Sequence, residues 1–460
     1  MLSDVSHVNP DCPGCRELLQ RVHQLTSINE ELLARLAVLE RRVDELEQEA
    51  ARQAAPFRRP ERKRKQNKGK PGRKPGHPPA HRQPPPTVDE TAEVPLERCP
   101  HCNALVQDVR PIHQVIEDIP PIVIRRLRLT TYRGRCPNCG RTVQSTHPQQ
   151  VSTATGAAGT HIGRHALALA AALNKQHGLP MRKVCRVLGH LGLSVTAGGL
   201  SQALDRIADK LCPVYEQIGD VLRQSVAVHA DETSWWLAAH IAWLWAFTNP
   251  QATLYTIGNR SQQVIREILG DDYAGVLISD CLASYDPHPG RKSKCVAHHL
   301  KAISEGLARV PESPYLMDVQ GLFKAAIVLH KLRDGLSPEF YWGRVAYLEQ
   351  RLDALLAAAP GHPEEIRITN RLRKHRPHLL TFLYVPGVDP TNNLAERQLR
   401  PAVIARKLSA GNKTERGKST FEILASLAAT SRQQGKSFTE FVAAWLSLGL
   451  PPPPSLFDPA

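Results

Sequence analysis

A multidomain α+β chain is predicted, on three observations. Leucines recur at 18, 25, 32, 39 and 46, a strict period of seven. Two Cys-x-x-Cys pairs, Cys99/Cys102 and Cys136/Cys139, are separated by 33 residues. From residue 225, alternating strand patterns give way to amphipathic helices, with Asp231 and Asp280 at strand ends and Glu396 on a later helix. The 460 residues exceed one core, so three or four domains are expected. A net charge of +15 points to a polyanionic partner. No run of 18 apolar residues occurs, so no membrane span is expected. The N-terminus lacks a charged-then-apolar signal pattern, which reads as an intracellular, cytoplasmic protein.

Residues 16–52 form the first element. Their leucines take the d positions of a heptad, with Val22, Asn29, Leu36 and Val43 at a. A polar Asn29 at a sets register and favours two strands. Arg35 and Arg42 at g face Glu40 and Glu47 at e of a partner helix. The spacing predicts a parallel coiled coil and a homodimer or higher assembly; an amphipathic helix packed within its own chain is the alternative. Cys12 and Cys15 precede it with no second pair nearby, and metal binding there is left open.

Residues 56–92 read as a basic, proline-rich linker. The run 58–82 holds eleven Lys/Arg, one Glu, five Pro and three Gly. It cannot bury a core. It is either a solvated tether or an arm that tracks phosphates by counterion release.

Residues 93–150 read as a zinc ribbon. Each Cys-x-x-Cys turns sharply so that two thiolates face one ion, and four thiolates close a tetrahedral, structural site. Alternating residues over 115–135 predict its strands. Cys185, Cys212, Cys281 and Cys295 lie among apolar neighbours and read as buried thiols. Residues 155–222 are helical in pattern, over 165–176, 179–191 and 196–211; a helix-turn-helix and a plain bundle fit equally.

The texture changes at 223. Residues 225–233 alternate as a strand that ends on Asp231. Residues 235–249 carry strand pattern on both sides of a turn at Ala239-His240, and 252–259 form a further strand. A helix follows at 261–269, a strand at 275–280 ending on Asp280, and a strand-to-helix segment at 294–310. This order predicts an RNase H-like mixed sheet for 223–310. Residues 311–386 hold three helical patterns and read as an insertion. The catalytic fold resumes over 387–450 with closing helices.

Within that last part, 391–401 predicts a short helix capped by Asp389, with Pro390 at its first position and Pro401 at its end. Asn393, Glu396 and Arg400 share one face; Leu394, Ala395 and Leu399 take the other. Taken alone, Glu396 is as readily a surface ion-pair partner as a ligand. Together with two strand-end aspartates it completes a layout for two Mg²⁺ ions, hard cations that take carboxylate oxygen.

The strand His229-Ala-Asp-Glu-Thr233, Asp280, the segment Cys295-Val-Ala-His298 and the run Asn392-Asn-Leu-Ala-Glu-Arg397 together resemble a transposase of the insertion sequence 66 family. The likeness extends over nearly the whole chain, including the heptad helix, the basic segment and the paired Cys-x-x-Cys. It implies a DDE-type enzyme whose acids fall on Asp231, Asp280 and Glu396. It further implies binding of terminal inverted repeats and target DNA, Mg²⁺-dependent phosphodiester hydrolysis and strand transfer, and accessory proteins of the same element in a bacterial, nucleoid-associated setting. One departure is visible: Cys281-Leu282 follows the second acid where the family commonly has Gly-Tyr, with Tyr285 further on. A non-catalytic DNA-binding regulator and a nuclease without strand transfer are the alternatives. Asn393 and Arg400 receive no role.

Overall fold

A computed structural model describes residues 21, 24–36, 38–39, 85–120, 122–154, 160–448 and 450–458. Cys12, Cys15, Leu18, Leu46 and the basic run 58–82 lie outside them. The chain divides into two compact units, Met1–Ile119 and Pro120–Ala460.

In the first unit the described residues of 21–39 are helical. Leu25, Leu32, Leu36 and Leu39 are all more than half exposed. Arg35 pairs with Glu31 one turn earlier at 2.7 Å, worth a few tenths of a kcal/mol, about 0.3–0.5, on an open helix face. Further on, Cys99 opens a tight knuckle. Its N–H donates to the Ala104 carbonyl (2.8 Å), and the Asn103 N–H returns to the Cys99 carbonyl (2.9 Å). Asn103 adopts φ 60°, a left-handed conformation that asparagine tolerates.

The second unit begins with a knuckle of the same design. The Cys136 N–H donates to the Arg141 carbonyl (2.8 Å) and the Gly140 N–H to the Cys136 carbonyl (2.9 Å), with Gly140 at φ 67°. It joins β1 (Arg133–Arg135) to β2 (Thr142–Gln144). The strands expected over 115–135 reduce to β1. Pro120 and Pro121 lack the N–H that a ladder needs, and Ile112, Ile116 and Val123 remain exposed.

The helices follow as α1 (Arg164–Ala171), a π turn over Ala172–Gln176, α2 (Met181–His190) and α3 (Ala197–Arg223). The last runs past residue 211 and through Pro213. Val214, Ile218 and Leu222 continue its apolar period and are buried in the same cluster as the sheet, and this packing outweighs one missing N–H.

The sheet comprises β3 (Ala227–Leu237), β4 (His240–Thr248), β5 (Thr253–Gly258), β6 (Val276–Ser279) and β7 (Arg291–Lys294), in the order β5-β4-β3-β6-β7. The β3–β4 and β4–β5 pairs are antiparallel; β6 lies parallel to both β3 and β7. Two expectations need correction here. Asp231 does not end its strand, because β3 is continuous to Leu237, and the turn falls at Ala238-Ala239 (φ 49° and 65°). β6 pairs only with Ala227–His229. Asp231 therefore stands just past the point where β3 loses its parallel neighbour.

Alternation sorts the sheet faces. Val228, Ala230, Trp245, Phe247 and Leu254 pack with α3 and with α4 (Gln262–Leu269). On the opposite face, Ala227, Val276 and Ile278 join a cluster built from α5 (Val296–Arg309), α6 (Pro314–Leu332), α7 (Pro338–Ala357), α8 (Pro363–His375) and α9 (Thr381–Tyr384). Beside them Trp235, Leu244 and Ala246 meet α10 (Asn393–Ser409) and α11 (Glu415–Gln433). The chain closes with α12 (Phe438–Trp445). Of the four thiols expected to be buried, Cys295 is; Cys185, Cys212 and Cys281 are half-buried.

The outer edge of β5 is sealed by α11 in register. Glu422, Ser426 and Thr430, four residues apart, accept the N–H groups of Ile257 (2.6 Å), Tyr255 (2.8 Å) and Thr253 (3.1 Å). Four helical residues rise about 6 Å and two strand residues about 6.8 Å, so the two repeats nearly match. An unpaired buried N–H costs about 1–3 kcal/mol. Ser426→Ala should lower unfolding stability by about that amount in urea titration, while Ser419→Ala, on the exposed side of α11, should change it by less than about 0.5 kcal/mol.

Candidate active site

The three predicted acids come from three separate elements. Asp231 lies on β3, Asp280 directly follows β6, and Glu396 sits in the first turn of α10. One hydrogen-bonded chain joins their neighbours. The Cys295 N–H donates to the Ser279 carbonyl (2.9 Å). Cys295 Sγ accepts the Asn392 N–H (3.1 Å), and Asn392 Nδ2 donates to the Ala230 carbonyl (2.8 Å). Asn392 Oδ1 meets His229 Nδ1 at 3.2 Å. The Glu396 N–H then donates to the Asn392 carbonyl (3.3 Å). Asn392 is fully buried.

The helix differs from expectation at both ends. Its N-cap is Asn392, and Asp389 instead closes a turn by accepting from Thr391 N and Oγ1, both at 2.7 Å. It continues through Pro401 to Ser409. Leu399 and Ala402 are buried against the sheet, and Arg406 donates to Thr233 Oγ1 at 3.1 Å and Ser234 Oγ at 2.7 Å. These contacts hold the second half despite the missing proline N–H. Asn393 and Arg400 are exposed and Glu396 half-buried, so the polar stripe is as expected.

Electrostatics bring the acids together. Burial, then the charges of Glu232 and Asp280, and more weakly that of Glu396, push Asp231 well above the usual carboxylate range; the Glu232 N–H on its Oδ1 (3.0 Å) opposes them. The flanking charges are matched locally. Glu232 takes Arg260 (2.8 Å) and the Tyr285 hydroxyl (2.7 Å). Lys294, fully buried, pairs with Asp286 (3.1 Å) and donates to the Asp280 carbonyl (3.0 Å). His298 Nε2 lies 4.0 Å from Glu396 Oε1. Glu232, Lys294, Tyr285 and Asn392 were not singled out from sequence. The adjacent acids at 231–232 and the doublet Asn392-Asn393 were visible, but nothing in the order of residues says which member is buried.

Among the described residues, no three His, Cys, Asp or Glu side chains converge tightly enough to hold an ion as they stand. The donor set nevertheless suits a hard divalent cation: it is all carboxylate oxygen, and its members repel one another. In the two knuckles, N–H groups lower the thiols of Cys99 (from His101, then Cys102) and Cys136 (from Cys139, then Asn138), favouring thiolate in each.

A carboxyl raised in the folded state binds its proton more tightly there than in the unfolded chain. Its charge costs nothing below the usual carboxylate range, and the cost grows as pH climbs through the raised value. Asp231→Asn should therefore raise the melting midpoint in metal-free buffer at pH 7–8, by roughly 2–4 °C for each kcal/mol of repulsion relieved. The gain should vanish near pH 3.5. Calorimetry at the two pH values checks the sign.

No curated protein matches the chain. Among family models, that of the Transposase IS66 family matches residues 159–420. That span covers more than half of the chain, including α1–α3, the whole sheet and all three acids. The chain belongs to the IS66 family of transposases.

Proposed function

We propose that this transposase is a DDE-type enzyme that cleaves DNA at the ends of its element and joins the freed 3′-hydroxyls to target DNA. The observation that carries the reading is the mutual charge of Asp231, Asp280 and Glu396, delivered by three elements to the place where β3 outruns β6. The sheet order and strand directions support an RNase H-like domain with 311–386 inserted ahead of α10. Asp231, Asp280 and Glu396 would hold two Mg²⁺. When bound, these ions supply Lewis acidity that activates water or a 3′-hydroxyl and offsets charge on the departing oxygen.

The protein's own contribution is placement. Asn392 keeps the Glu396 helix against β3, and Lys294 holds the backbone that carries Asp280. Arg260 and Tyr285 neutralise Glu232, so that the repulsion remaining in the cluster belongs to the three acids. Water and the 3′-hydroxyl are the nucleophiles, and no covalent protein intermediate is required.

The test uses the purified full chain, labelled element ends, Mg²⁺ and Glu396→Gln beside wild type. Nicking followed by joining in wild type, with a loss of about 10³-fold or more in the variant, is the expected result. Nicking without joining would replace the reading with a nuclease. DNA binding without cleavage in either protein would replace it with a regulator. Cleavage that survives Glu396→Gln would remove this residue from the site.

The remaining modules keep DNA-handling readings. The two cysteine pairs are read as structural zinc ligands, supported by the identical hydrogen bonding that each knuckle shows by itself. Residues 16–52 are read as a dimerising coiled coil, supported by the exposed heptad leucines. The basic run is read as a phosphate-tracking arm. The family implies small accessory proteins, with which no contact is assigned. Native mass spectrometry should report a dimer with one zinc per chain. Removal of residues 1–52 should leave a monomer, and Cys99→Ser should lose the zinc. A dimer that persists, or unchanged metal, would overturn the respective reading.

A further inference from the structure

Beyond Asp231 the β3–β4 hairpin has no β6 beside it and extends to its turn at Ala238-Ala239. Trp236, five residues past Asp231, stands roughly 17 Å along the strand. Its cross-strand partner is Ile241. The two are 47% and 70% exposed, side by side on one face. Closer to the acids the same face carries the pair Ser234–Trp243, then Glu232–Trp245. The Arg260 guanidinium stacks on Trp243 at 3.9 Å from the ring centre. A line of indoles therefore runs from the buried Glu232 out to solvent.

The backbone presents this face rigidly. Ala238 and Ala239 are left-handed (φ 49° and 65°), a conformation that costs alanine about 1–2 kcal/mol per residue. A strap from the end of α10 holds them there. The Ala238 N–H donates to the Asn412 carbonyl (3.0 Å), and the Asn412 N–H to the Trp236 carbonyl (2.8 Å). Trp235 Nε1 donates to Asn412 Oδ1 (2.8 Å). Gly411 passes so close to Trp236 that any side chain there would collide with its backbone.

Charge selects the occupant. The acid on this face, Glu232, is already paired with Arg260. Arg406 grips the same strand at Ser234 (2.7 Å), and Lys413, next to the strap, is exposed. An aromatic face with a cationic rim complements stacked bases and their phosphates. A second copy of the chain docked symmetrically would set the same cations opposite one another.

We propose that the tip face of this hairpin, with Trp236 as platform and Ile241 beside it, stacks on an unpaired nucleobase of the DNA strand that lies across the acid cluster. The proposal rests on the DNA-cleaving reading above. The experiment uses the full chain in Ca²⁺ buffer with two labelled DNAs of one sequence, fully paired or with a short unpaired end carrying 2-aminopurine. Wild type should bind both and quench the 2-aminopurine. Trp236→Ala should weaken binding of the unpaired-end DNA about tenfold and abolish the quench. It should leave the paired duplex within about twofold, and Trp236→Phe should recover most of the loss. An unchanged circular-dichroism melt of the alanine variant separates this result from misfolding. Equal affinity of wild type and Trp236→Ala for the unpaired-end DNA would overturn the proposal. So would loss of a self-association step in sedimentation with DNA binding intact. If wild type binds neither DNA, the DNA reading itself falls; wild-type binding with an unaffected variant removes only the platform.

Discussion

Asn392 is the residue on which the site geometry depends. Its side chain bonds the backbone next to Asp231, and its N–H bonds the cysteine whose own N–H is tied to the backbone next to Asp280. Its carbonyl starts the helix turn that carries Glu396. Because the residue is fully buried, each of these bonds is made away from water, and a lost partner would leave an unsatisfied polar group. Three distant stretches of chain therefore meet through one amide.

That clamp works against a cost. Burial and like charge raise Asp231 well above the ordinary carboxylate range, so the metal-free cluster opposes the fold that holds it. The surrounding charges limit the cost without cancelling it. Arg260 and Tyr285 absorb Glu232, and Lys294 and Lys374 together absorb Asp286. What remains is repulsion among the three acids, which a divalent cation would relieve. Stability is thus lower where chemistry is proposed, as is common at sites that exploit strained charge.

The sheet also manages its edges. On the β5 side, α11 supplies side-chain acceptors at nearly the repeat of the strand, so no row of free N–H groups faces solvent. On the other side of β3, the stretch beyond β6 is held partly by Arg406 and by the strap at 410–412. The hairpin that results is stiff where it projects, and its exposed indole is a consequence of that projection.

Periodicity and motif spacing determined much of this. The alternating and amphipathic patterns placed the strands and most helices to within a few residues, because burial on one face imposes period 2 or 3.6 whatever the neighbours are. The motif residues Asp231, Asp280 and Glu396 were legible for the same local reason, as were both cysteine turns. Helix ends were less so: Pro401 and Pro213 read as stops, yet α10 and α3 continue, because packing of Ala402 and of Ile218 on the sheet outweighs one missing hydrogen bond. The strands expected over 115–135 failed in the opposite sense, since an alternating pattern needs a partner strand to become a ladder. Only the tertiary structure showed that β3 outruns β6, that Asn392 rather than Asn393 is the buried member of its doublet, and that Trp236 is bare while Trp235 is covered. Each depends on which distant element lies opposite, and the local order of residues does not carry that information.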